Sequence, residues 1–173
     1  MTEYVLAGGC FWCLDSSFSQ FKGIIDVECG YAGGHTSNPT YEEVCSEKTG
    51  HAEVAKIIFD ESIISSDVVL DLYFTVHDPR QLNRQGNDIG SSYRSAMFYQ
   101  GEEQKEIFEK ALERAAQMWE GEIVTTLQPL EIFWAAEQYH QDYFSKNPGN
   151  AYCQSVVSGK MAKTRASFTE YLK

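Results

Sequence analysis

The period of the apolar positions changes along the chain, and the changes mark out the elements. Tyr4-Val5-Leu6-Ala7 is a short continuous apolar run that predicts a buried strand, and Gly8-Gly9 ends it. Phe11, Leu14, Phe18 and Phe21 follow at spacings of three, four and three, the stripe of an amphipathic helix. The chain therefore opens as strand, glycine turn and helix, with Cys10 at the turn. Ile24 to Tyr31 predicts a second strand, closed by Ala32-Gly33-Gly34. His35 to Gly50 reads as loop, apart from Thr40-Tyr41-Glu42-Glu43, a capping box that predicts a short helix from Tyr41.

His51 to Asp60 predicts a strand. Ser66 is placed to cap a helix over Asp67 to His77, and Pro79 stops it. Residues 80–92 are polar and glycine-bearing, hence loop, and Tyr93 to Tyr99 predicts a strand. Glu102 to Glu120 carries an apolar face of Ile107, Phe108, Ala111, Leu112, Ala115, Met118 and Trp119, so it predicts a long helix. Glu122 to Leu127 fits an edge strand. Pro129 to Phe144 fits a helix that Asn147-Pro148-Gly149 ends, and the basic tail fits a last helix after Lys160. The sum is an α+β chain with a mixed sheet flanked by helices. Its polar loops at 32–50, 80–92 and 145–155 are where a site can assemble.

Composition narrows the class. A length of 173 residues fits one domain over 1–173. Hydrophobic residues at 43% and charged residues at 23% exclude long disorder. There are 14 Lys+Arg against 25 Asp+Glu, a net charge of −11, which argues against nucleic acid or an anionic membrane as partner. The start, Met1-Thr2-Glu3-Tyr4, lacks the basic region of a signal peptide, and no window approaches the ~18 apolar residues of a membrane span. The expectation is a cytoplasmic protein with reduced thiols. The cysteine count of 5 is odd, so at least one thiol is free, metal-bound or reactive.

Cys10 is the first candidate. It follows two glycines and opens a helix, whose positive N-terminal end is expected to lower the thiol pKa. Cys13 lies on the same helix face, within disulfide reach. A low-pKa thiol beside a partner thiol is a redox arrangement. From these residues alone three readings stand: a thiol–disulfide oxidoreductase using Cys10-x-x-Cys13, a metal-binding module on the same motif, and a Cys–His hydrolase with His51, His77 or His140 as base. Glu137-x-x-His140 has the spacing of half a di-iron motif, without its second copy.

Gly9-Cys10-Phe11-Trp12 resembles the opening motif of peptide methionine sulfoxide reductases of the A type. Gly30-Tyr31-Ala32-Gly33-Gly34, Asn38-Pro39-Thr40-Tyr41-Glu42-Glu43-Val44-Cys45 and Thr49-Gly50-His51-Ala52-Glu53 are similar to that family too. So are His77-Asp78-Pro79, Gln81 to Asp88, Gly90 to Ser95, and Phe133-Trp134 with Glu137-x-Tyr139-His140-Gln141. The matches run in order from about residue 4 to 155.

The resemblance implies a ferredoxin-like core and an enzyme that returns methionine-(S)-sulfoxide to methionine. The substrate is peptide-bound, with the free amino acid as a further candidate. No cofactor and no metal are implied; the partner is thioredoxin or a similar dithiol reductant. Cys10 is the implied nucleophile. Phe11 and Trp12 line the methyl slot, Tyr41, Glu53 and Tyr93 bind the sulfoxide oxygen, and Asp88 supports them. The chemistry fits: the departing oxygen needs a proton, which Glu53 supplies if burial raises its pKa. Two phenols donate hydrogen bonds without adding charge. The sulfenic acid left on Cys10 condenses with a second thiol. The chain departs from the pattern in lacking a glycine-rich tail with further cysteines. Cys13 is therefore the first candidate resolver and Cys153 the second, while Cys29 and Cys45 are expected to pack.

Overall fold

The computed structural model describes every residue, Met1–Lys173. In chain order, β1 (Thr2–Gly8) leads to α1 (Phe11–Phe18), β2 (Ile24–Ala32), α2 (Tyr41–Cys45), β3 (Ala52–Phe59) and α3 (Ser66–Val76). A small hairpin follows, β4 (Arg84–Gln85) with β5 (Asp88–Ile89), then β6 (Ser95–Tyr99) and α4 (Glu102–Met118). The last third holds β7 (Thr126–Pro129), β8 (Trp134–Ala135), α5 (Tyr143–Lys146) and α6 (Ser158–Ser167).

The main sheet has the order β7-β6-β1-β3-β2-β8. Its four central strands pair antiparallel, and α1 and α3 make the two crossovers. This is the split βαβ arrangement of a ferredoxin-like core. β7 extends one edge in parallel with β6, and β8 extends the other antiparallel to β2.

Both sheet faces are covered, which is why Tyr4 to Ala7 reads as a continuous apolar run rather than an alternation. Tyr4 and Leu6 face α1, α3 and α4 in a cluster with Leu14, Phe18, Leu70, Phe74 and Phe108. Val5 and Ala7 face the other way, with Val54 and Phe98, under Leu130 and Phe133. No helix is long and apolar enough to cross a membrane.

Several sequence expectations are corrected. Ser65, not Ser66, caps α3: its hydroxyl accepts the Val68 N–H, while Ser66 bonds the Tyr4 hydroxyl. Tyr93 lies in a 3-10 turn, Ser91–Tyr93, and the strand starts at Ser95. The loop at 80–92 contains the β4–β5 hairpin. The edge strand is shifted to Thr126–Pro129. The predicted helix over Pro129 to Phe144 is extended chain, a strand pairing, a 3-10 turn at Gln138–His140 and the short α5. Gly30 is the physical reason. A Cβ there would stand 2.4 Å from the Phe133 ring and 2.6 Å from the Trp134 carbonyl oxygen, so its absence lets this segment lie on β2 as β8. The tail turns helical before Lys160, through a wide π turn at Cys153–Val157.

Candidate active site

The site sits where β1 gives way to α1. Gly9 turns the chain at φ +87, and a Cβ there would come 2.8 Å from the Gln85 side chain. Cys10 then takes the N-cap position in extended conformation, with no side-chain capping bond. Its thiol is buried together with Cys13, Cys153 and Val157. Cys10 and Cys13 pack together, and the Cys13 N–H donates to the Cys10 carbonyl at 3.1 Å.

The expected lowering of the Cys10 pKa is not found. Burial, the Cys13 thiol and the Glu53 carboxyl push it well above the usual thiol range, and the Trp12 N–H offsets this only in part. Cys13 moves down instead, through its bond to Cys10 and the nearby Lys160 ammonium, against the pull of burial.

Glu53 stands on β3 opposite Tyr31 of β2 and is 1% exposed. One carboxyl oxygen accepts the Phe11 N–H at 3.1 Å. The other is buried without a partner. Burial pushes its pKa up to about 8, with the Phe11 N–H holding it down in part. The carboxyl is therefore protonated at neutral pH, with its free oxygen available to a ligand.

Tyr41 is the first residue of α2, and the predicted capping box is formed. The Glu43 N–H donates to Thr40 Oγ1 at 3.2 Å, and the Thr40 N–H to Glu43 Oε1 at 2.9 Å. A residue with no assigned role in the sequence, Glu137, fixes this end of the helix. Its carboxylate accepts the Tyr41 N–H at 2.9 Å and the Tyr31 hydroxyl at 2.8 Å. Tyr93 approaches from its 3-10 turn. Burial raises the pKa of both phenols and Glu53 adds to it, so both remain neutral donors close to Glu53. Cys45 lies near both phenols, which hold its thiol pKa down in part against burial. It is exposed, which corrects its expected burial; Cys29 does pack, fully buried against the Phe11 carbonyl and Asp15.

Phe11 is wholly buried among Tyr31, Tyr41 and His140, and Trp12 is half-buried. The Trp12 indole is held on two sides. Its Nε1–H donates to His140 Nδ1 at 3.0 Å, and its ring stacks on Tyr143 with centroids 3.8 Å apart. Neither partner is legible as such in the sequence, because both fall in the segment that reads as one helix.

Asp88 comes to the site from β5, but its partner is not Tyr93. It accepts the hydroxyl of Tyr152, which lies beside Cys10 and Cys13. Tyr152 is a further site residue with no local sequence signal. His51 and His77 are engaged elsewhere: His51 accepts the Gly34 N–H, and His77 bonds Tyr73 and Ser95. No group of three His, Cys, Asp or Glu side chains is placed to hold one metal ion.

The family model described as peptide methionine sulfoxide reductase matches residues 2–172. A protein named peptide methionine sulfoxide reductase MsrA from Clavibacter michiganensis subsp. michiganensis is 51% identical over 173 residues, covering 100% of this chain and 99% of that one. The crystal structure of reduced Mxr1 from Saccharomyces cerevisiae superposes with a TM-score of 0.83 at 32% identity, covering 88% of each chain. Methionine sulfoxide reductase A of Corynebacterium diphtheriae gives 0.77 at 33% identity, covering 84% of this chain and 74% of that one. With a thiol, a protonated buried carboxyl and two neutral phenols gathered at the end of β1, and with the family model matching residues 2–172 and the Clavibacter relative covering the whole of it, the chain belongs to the peptide methionine sulfoxide reductase family.

Proposed function

We propose that residues 1–173 act as one reductase domain that returns the S epimer of methionine sulfoxide in peptides to methionine. The observation that carries this reading is the Glu53 carboxyl, buried, protonated at neutral pH and with one oxygen unpartnered beside Cys10. Disulfide exchange has no use for such an acid.

The Cys10 sulfur attacks the sulfoxide sulfur while Glu53 gives its proton to the oxygen, and the Cys10 proton replaces it on the carboxylate. Tyr41 and Tyr93 hold the oxygen by hydrogen bonds that strengthen as charge develops there. Trp12, backed by Phe11, takes the methyl group. The S–O bond and the new bond between Cys10 and the substrate sulfur then break as the oxygen passes to Cys10 as a sulfenic acid, and methionine leaves with two electrons gained. The Cys13 thiol then displaces the oxygen as water and forms the Cys10–Cys13 disulfide. Cys153 packs against the same pair and is the second candidate for this step. An external dithiol, of which thioredoxin is the type, reduces the disulfide. The five free thiols fit a reducing, cytoplasmic setting.

The test is to mix reduced protein, without recycling reductant, with each separated epimer of a blocked methionine sulfoxide. One equivalent of methionine per enzyme from the S epimer alone, with two thiols lost, is expected. No methionine from either epimer overturns the proposal.

A further inference from the structure

One carboxylate close to the two phenols has no part in the chemistry above. Glu47 follows α2 and adopts φ +65, the left-handed region that side-chain-bearing residues avoid. Such a conformation persists where the surroundings hold it in place. Here the surroundings are donors. The Glu47 carboxylate accepts the Ser91 hydroxyl at 2.8 Å, the Ser92 N–H at 3.1 Å and the Ser92 hydroxyl at 2.6 Å. It also lies flat against Gly90, where a Cβ would meet it at 2.6 Å.

These bonds join the two elements that carry the phenols. Ser91 and Ser92 begin the 3-10 turn whose last residue is Tyr93, and the Tyr93 N–H closes that turn on the Gly90 carbonyl at 3.0 Å. On the other side, the Glu47 N–H donates to the Val44 carbonyl at 3.0 Å, in the last turn of the helix that begins at Tyr41. One residue thus grips the Tyr41 helix through its backbone and the Tyr93 turn through its side chain.

We propose that Glu47 is a positioning residue for the sulfoxide-oxygen site: its carboxylate clamps the Ser91–Tyr93 turn onto α2 and sets the Tyr93 hydroxyl beside that of Tyr41. The proposal rests on the reading of these tyrosines as oxygen donors. Donors aimed in advance at a developing charge act mainly on the chemical step, and small misplacements reduce it steeply.

The test uses the Tyr41→Phe background, in which Tyr93 is the remaining phenol. Single-turnover rates on a blocked S-sulfoxide are compared for that variant, for added Tyr93→Phe, for added Glu47→Gly, and for both. Glu47→Gly removes the clamp and the backbone strain together, so the melting temperature is expected to stay within about 3 °C. The expected result is a loss of about ten-fold in the saturating rate with KM little changed, present with Tyr93 and absent without it. Glu47→Gln, whose amide can accept from Ser91 and donate to Ser92 Oγ, is expected to recover most of the rate. An equal loss with and without Tyr93, or no loss at all, overturns the clamp and leaves the Tyr93 assignment intact. If Tyr93→Phe itself costs nothing in this background, the oxygen-donor reading falls and the clamp with it.

Discussion

The buried carboxyl of Glu53 accepts the backbone N–H of Phe11, the residue next to Cys10, the proposed nucleophile. The carboxyl and the Cys10 thiol are thereby fixed to the same turn at the start of α1. The bond uses one carboxyl oxygen and leaves the second, protonated at neutral pH, without a partner in the protein.

Replacing Glu53 by Gln should lower the single-turnover rate by roughly 10²–10⁴, the range of a lost general acid. The native rate should fall as pH rises through about 8, where the carboxyl ionises. Glu53→Gln should lose that limb. A near-normal rate in the variant removes Glu53 from the chemistry.

The same carboxyl weakens the fold. Its pKa in the folded chain, about 8, is above the ordinary carboxylate value, so its contribution is most favourable below pH ~4.3 and is lost as pH rises towards 8. Glu53→Gln should therefore gain stability over the native protein with rising pH, by up to roughly 3 kcal/mol at pH 7. Urea unfolding at pH 4.5 and pH 7.5 checks the sign.

Cys13→Ser should keep the first methionine and lose the disulfide, with thioredoxin-supported turnover slowed by at least about ten-fold. Peptide mapping after one turnover should find Cys10 joined to Cys13 in the native enzyme. Unchanged multiple turnover in Cys13→Ser points to Cys153 or to direct reduction of the sulfenic acid by the external dithiol.

His140→Leu leaves the Trp12 indole N–H without its acceptor. A lost bond of about 1 kcal/mol corresponds to about a five-fold fall in kcat/KM, carried by KM because the slot binds the methyl group throughout. Trp12 fluorescence should change with it. A change confined to kcat would argue against a binding slot.

Gly30→Ala should destabilise by about 1–3 kcal/mol, since its Cβ overlaps the Phe133 ring and the Trp134 carbonyl. Thermal unfolding measures this directly. Because β8 leads into Glu137 and His140, activity should fall further than stability accounts for.

The central strands and the nucleophile's turn are legible in the sequence because their signals are local. The run at Tyr4 to Ala7, the glycines before Cys10 and the Thr40–Glu43 box each act within a few residues. Glu53 is legible only through the motif around it, since a single glutamate on a strand carries no mark of burial. Trp134, Glu137 and His140 recur at helical spacing, yet the opening at Gly30 draws the segment onto the sheet instead. The Asp88–Tyr152 bond spans 64 positions, and Trp12–His140 spans 128, so no local pattern announces either. The thiol pKa is missed for a related reason: the helix end favours the thiolate, but burial beside Cys13 and Glu53 outweighs it.

β8 joins the sheet through two residue pairs, Gly30 with Ala135 and Tyr31 with Trp134. The wall that holds Trp12 is therefore joined to the sheet by fewer strand pairs than β1 or β3, which pair along most of their length, and relies on side-chain bonds such as those of Gln141 to the Cys29 backbone. Such a segment opens at a free energy below that of global unfolding. Amide exchange over residues 134–146 should run ahead of exchange in the central strands, so the recognition surface can breathe while the carboxyl and the nucleophile stay locked in register.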